Sequence, residues 1–185
     1  KKAAVIGGKT AMEKARDALL QGIDGSGIEI LDFIWYGGDC TYENGQALMD
    51  NEAVRQADML FGVGGGRACD VATKLDKPLF LFPTVASNCA SVTAISVMYH
   101  PDGTFREDYY PNLPEHTFIH TGIIAGSPYA LLWAGIGDAL SKECEAVFAS
   151  KGATLKFEPL MGVQLSKVCT EPLLMYGAQA LAACR

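Results

Sequence analysis

The sequence has no run of lysine and arginine, no C-x-x-C pair and no apolar stretch long enough to cross a bilayer. Each absence removes a class of function. Its 15 basic residues are outnumbered by 21 acidic ones, for a formal charge of −6, and nothing in the sequence suggests the basic face that nucleic-acid binders usually show. The six cysteines, at 40, 69, 89, 144, 169 and 184, have neither zinc-knuckle spacing nor that of a disulfide framework. They read as the reduced thiols of a cytoplasmic protein. The longest late apolar stretch, "YALLWAGIG" (129–137), is far short of a membrane span. The opening "KKAAVIGGKT" has only a short apolar run, too short for a signal-peptide core. The glycine cluster at 62–66 lacks the G-x-G-x-x-G pattern in both registers, because Arg67 or Cys69 stands where the last glycine belongs, and no G-K-[ST] follows it.

What is present is a chain of 185 residues, 49% hydrophobic, enough for a substantial core. "AAVIGG" (3–8) reads as a buried strand, 9–20 as an amphipathic helix, and "IEILDFIWY" (28–36) as a second strand. Thr41 is a plausible N-cap for a helix reaching about Val54. "DMLFGV" (58–63) is a third strand, 67–75 a helix, and "KPLFLFPT" (77–84) a fourth strand. Strands alternating with helices at this spacing predict a doubly wound α/β plan with parallel pairing. The pattern then changes: 94–110 reads as a hairpin around Pro101-Asp102-Gly103, "HTFIHTG" (116–122) as one short strand, and everything from about Ile123 onward as helix. The expected fold is therefore α/β, a Rossmann-like parallel-sheet domain at 1–124 followed by the start of an all-helical domain at 125–185. With no initiating Met and an end inside a helical pattern, both termini are expected to be cut.

"LFGVGGGRACD" (60–70) puts glycines between a strand and a helix. That placement lets backbone N–H groups and a helix N-terminus meet a phosphate, and it also serves a bare tight turn. Arg67 supplies a positive charge that water alone could equally satisfy. Asp70, in the first helical turn, suits the helix dipole. "PTVASNCASVT" (83–93) lies just past the C-terminal end of a buried strand, the edge where open α/β sheets bind ligands. Asp39, in the loop after the second strand, leans towards NAD rather than NADP.

Taken together, "GVGGGRACD", "PTVASNCASVTAISVMY" and "AGIGDALSKECEA" resemble three blocks of the glycerol dehydrogenase-type enzymes within the iron-containing alcohol dehydrogenase and dehydroquinate synthase-like superfamily. The resemblance covers nearly the whole chain and implies an N-terminal dinucleotide-binding domain, a C-terminal helical domain and an active site between them. It implies NAD or NADP as cofactor, with Gly64, Gly65 and Gly66 at the pyrophosphate and Arg67 where the family usually has lysine. Asp70 becomes a cofactor contact, and Thr84, Ser87, Thr93, Ile95 and Tyr99 line the nicotinamide and ribose side. Asp138 falls on the family's aspartate ligand to a divalent metal, zinc or iron, which two histidines further along complete.

The three histidines present do not replace those ligands. His116 and His120 sit in a strand-like context, where residues four apart lie roughly 13 Å from each other. His100 is in the hairpin turn. Cys89 stands where glycerol dehydrogenases usually have a substrate-binding aspartate. "SNCAS" looks more like a branch acting on 2-hydroxycarboxylates, and a neutral thiol removes the repulsion an aspartate would exert on a substrate carboxylate. The same cysteine serves equally as a small apolar filler. The expected activity is interconversion of a secondary alcohol, a small polyol such as glycerol or a 2-hydroxycarboxylate, and its ketone. The alternatives are a dehydroquinate synthase-like lyase and a catalytically incomplete dinucleotide-binding fragment. The expected partner is a small-molecule substrate, with no nucleic acid and no membrane; a homo-oligomer is allowed by the sequence.

Overall fold

The computed structural model describes residues 1–73, 75, 77–109 and 113–184. The predicted ends of the helix at 67–75 and of the hairpin strand reaching 110 thus lie partly outside the described residues. Strand β1 (Lys2–Gly7) is followed by α1 (Lys9–Ile23), β2 (Glu29–Trp35), α2 (Tyr42–Asp50), α3 (Glu52–Gln56), β3 (Met59–Gly64), α4 (Gly66–Thr73) and β4 (Leu79–Pro83). A hairpin, β5 (Ser96–Tyr99) and β6 (Phe105–Tyr109), leads to the short β7 (His116–Thr117) and to three helices, α5 (Thr121–Ala125), α6 (Tyr129–Ala149) and α7 (Phe157–Ala183). Five strands form a parallel sheet in the order β2-β1-β3-β4-β7, and the hairpin stands apart as a two-stranded antiparallel sheet.

The period-two alternation of β1 decides which side chain meets which layer. Ala3 and Val5 pack with Met12, Ala15 and Leu19 of α1, together with Met59, Phe61 and Val63 of β3. Ala4 and Ile6 face the other way, into a core with Leu48, Val54, Leu60, Val71, Ala72 and Leu81. Helix α1 therefore covers one face, and α2, α3 and α4 the other. Ile6, Leu60 and Leu81 are wholly buried. Each contributes about 1.5–3 kcal/mol by leaving water, which makes this layer the main source of stability.

Two predicted elements differ from the sequence reading. The helix from Thr41 stops at Asp50, because the Asn51 side chain accepts hydrogen bonds from the N–H groups of Ala53 and Val54 and starts α3. The strand expected over 116–122 pairs only through His116 and Thr117, and His120 caps α5 by accepting from Ile123 N at 3.2 Å. Thr41 does cap α2, its hydroxyl accepting from Asn44 N at 3.1 Å. No helix among the described residues is long and apolar enough to cross a membrane.

Candidate functional site

The strand order places a topological switch at the sheet's carboxyl edge. β1 and β3 are neighbours, yet α1 leaves β1 towards one face and α4 leaves β3 towards the other. Helices parting this way leave a crevice at the strand ends, where open α/β sheets bind their ligands. Two glycine turns line it. Gly8 donates its N–H to Val63 O at 3.3 Å, and a Cβ on Gly64 would come within 3.8 Å of Gly8 N.

Each glycine of the cluster is held by a different neighbour. Gly64 has φ +151°, a conformation side chains rarely adopt, and a Cβ there would press on Ala68 at 2.9 Å. A Cβ on Gly65 would meet Val85 at 3.0 Å, and one on Gly66 would meet the Asn88 amide at 2.6 Å. The cluster is thus a bare cradle roofed by the loop after β4. Its first helical turn points backbone N–H groups at the crevice, as any helix N-terminus does.

The structure distributes the residues expected at the site around the crevice and the hairpin beside it. Arg67 lies at the crevice mouth, its Nη1 2.7 Å from Asp39 Oδ1. Thr84 is buried beside the cradle, donating its backbone N–H to Gly64 O at 3.1 Å, and Ser87 and the exposed Cys89 follow on the same loop. Asp70 lies on α4, its carbonyl accepting from the Ser96 hydroxyl at 2.7 Å, and burial pushes its carboxyl up to about 7. Thr93 and Ile95 lead into β5. Tyr99, at the far end of β5, donates its N–H to Cys40 O at 2.8 Å, which puts it beside the Asp39 loop.

Helix α6 brings Asp138 to this loop. Gly135 lies against the carbonyl oxygen of Ala86, so closely that a Cβ would overlap it, and Asp138 follows one turn later on that side. Its carboxylate is 3.2 Å from Lys142 Nζ, which also binds Glu145 at 3.0 Å. Among the described residues no group of three His, Cys, Asp or Glu is able to hold a metal ion. Asp138 is one oxygen donor without companions: His116 packs against Phe80 and Phe118, and His120 is the α5 cap.

The sequence reading missed Lys9, whose ammonium sits 4.6 Å from the centre of the half-exposed Trp35 ring at the same edge. Its signal was Gly8-Lys9 opening a helix directly after a buried strand. A separate cavity of about 750 Å³ lies on the α1 face, lined by Leu19, Phe61, Phe80, Phe82, Phe118 and Ile123. Its lining is mainly apolar, with Lys1, Ser26, Thr84 and His120 as its side-chain polar groups, and of the expected site residues it takes in only Thr84. The crevice, not this cavity, gathers the polar groups.

The family model for iron-containing alcohol dehydrogenase matches residues 1–120. Glycerol dehydrogenase of Thermotoga maritima is 34% identical over 155 residues, covering 78% of this chain and 42% of that protein. Hydroxycarboxylate dehydrogenase A of Escherichia coli is 31% identical over 154 residues, covering 80% and 42%. The crystal structure of glycerol dehydrogenase from Schizosaccharomyces pombe superposes with a TM-score of 0.81 at 25% identity, covering 99% of this chain and 48% of that one. The chain spans about half the length of the relatives it matches.

Proposed function

Because the chain belongs to the iron-containing alcohol dehydrogenase family, we propose that the protein is an oxidoreductase passing a hydride between a small secondary alcohol and NAD or NADP. Residues 1–124 form its dinucleotide-binding domain, and 125–185 begin a helical domain that closes the cleft. The observation that carries this reading is the run Gly64–Gly66 at the switch point between β1 and β3. There a pyrophosphate lies over bare backbone and against the N-terminus of α4. A divalent metal, when bound, acidifies the alcohol and takes up the charge that develops on its oxygen. Asp138 would give that metal one carboxylate oxygen. This chain's own residues bind the cofactor, hold Asp138 at the cleft through the Gly135 contact and shape the pocket.

For the substrate, the exposed thiol of Cys89 favours a 2-hydroxycarboxylate over a polyol such as glycerol, since no carboxylate at that position repels the substrate's own. The relative named hydroxycarboxylate dehydrogenase A supports the same choice. The test is alcohol-dependent formation of reduced nicotinamide by the purified full-length protein loaded with zinc or iron. A 2-hydroxycarboxylate should turn over faster than glycerol. Cys89→Asp should lower kcat/KM for the acid, relative to glycerol, by about tenfold or more. Absence of turnover with both substrates and both metals sinks the proposal.

A further inference from the structure

Asp39 and Arg67 are 28 positions apart, and the fold makes them partners at 2.7 Å. Asp39 is held there by its backbone. Gly37 and Gly38 turn the chain sharply after β2, with φ +100° and +103°. The Asn44 amide donates to the Asp39 carbonyl at 2.8 Å, and the Thr41 N–H does so at 3.0 Å. The Tyr36 hydroxyl fixes Gly38 O at 2.8 Å. Arg67 reaches across from the first turn of α4. Since β1 lies between β2 and β3 in the sheet, the pair straddles the end of β1 and the Gly7-Gly8 turn. Both side chains are about two-thirds exposed, at 66% and 61%, so the bond is weak enough for a ligand to part it.

In this class of fold an acid after the second strand accepts a hydrogen bond from the 2′-hydroxyl of an adenosine ribose, whereas a nearby arginine takes a 2′-phosphate. Here both groups are present and in contact. We propose that Asp39 and Arg67 form a two-way selector for the ribose 2′ position, so that the protein accepts both NAD and NADP. This rests on the dinucleotide reading above and names the cofactor that site takes. With NAD, the ribose hydroxyl replaces Arg67 on the Asp39 carboxylate. With NADP, the guanidinium turns to the phosphate and grips it with two parallel N–H donors, while its charge offsets the repulsion from Asp39.

The experiment is calorimetric titration of the full-length protein with NAD+ and NADP+, for wild type, Arg67→Gln, Arg67→Lys and Asp39→Asn. Circular dichroism of each variant establishes that it is folded. The wild-type Kd values for the two dinucleotides should agree within about tenfold. Arg67→Gln should raise the ratio Kd(NADP+)/Kd(NAD+) by about tenfold, Asp39→Asn should lower it by a similar factor, and Arg67→Lys should fall between wild type and Arg67→Gln. Equal weakening of both cofactors by Arg67→Gln places the guanidinium on the pyrophosphate and overturns the selector. So does wild-type discrimination against NADP+ beyond about a hundredfold. Binding of neither dinucleotide ends the underlying cofactor reading instead, a result distinct from both.

Discussion

At Gly66 the nearest atoms to an added Cβ are the far end of the Asn88 side chain, not backbone. A methyl group is accommodated in the free protein by a small swing of that exposed amide. On the proposed reading it then stands where a dinucleotide's phosphates would pack. Gly66→Ala is therefore expected to weaken NAD+ binding by about tenfold or more while leaving thermal unfolding nearly unchanged, measured by calorimetry on one sample. Asp70 behaves differently. Burial raises its carboxyl from 3.8 in an open chain to about 7, so the folded protein keeps a proton that the unfolded chain releases. The contribution of this group to stability is complete below about pH 4 and is lost as pH rises through about 7. Asp70→Asn cannot ionise and should flatten that part of the profile. The Tm of the variant minus that of wild type should rise between pH 4 and pH 7, roughly the interval spanned by the two pKa values. A constant difference would show that Asp70 ionises in the fold as it does in water.

Helix α6 meets the loop after β4 through the absence of a side chain. Gly135 lets the helix rest on the Ala86 carbonyl, and backbone on both sides has no rotamer to yield. Gly135→Ala is expected to cost at least about 1 kcal/mol in chemical denaturation and to lower kcat, because Asp138 one turn on moves with the helix. Unchanged stability would mean that the contact is loose. How much of this was legible in the sequence depended on range. β1, α1, β2, β3, α4 and β4 announced themselves through period-two and helical patterns, and Thr41 through its cap chemistry. Asn51 was missed because no glycine or proline marks the break, and only a side chain turning back on its own backbone divides α2 from α3. The strand at 116–122 failed for a tertiary reason: β4 offers it pairing partners only at Phe80 and Leu81. The Arg67–Asp39 pair could not be read at all, since strand order, not local sequence, brings the two loops together.

Helices α6 and α7 form an antiparallel pair, tied by the Thr170 hydroxyl to Glu143 at 2.6 Å and by Ile136 against Gly177. Much of their apolar surface has no cover among the described residues, including Trp133, Phe148, Phe157, Val168 and Leu174, each more than 60% exposed. Helices apolar on all sides belong inside a larger body. The 185 residues expressed alone should therefore enhance the fluorescence of a hydrophobic dye such as ANS, and the full-length protein should do so far less. Equal dye response from both would show that this surface stays open in the full-length protein. The sheet order has a further consequence, for synthesis. β1 is the interior strand that opens this sequence, and its core residues Ala3–Ile6 end wholly buried between β2 and β3. Both of those neighbours are made after it, β3 only at Met59–Gly64. A nascent chain leaving the ribosome thus carries this sticky segment with one edge unpaired until β3, at Met59–Gly64, has followed β2. Parallel pairing over such separations is slow and exposed to aggregation. The interval before β3 arrives is where chaperone capture, or its failure, sets the yield of folded protein.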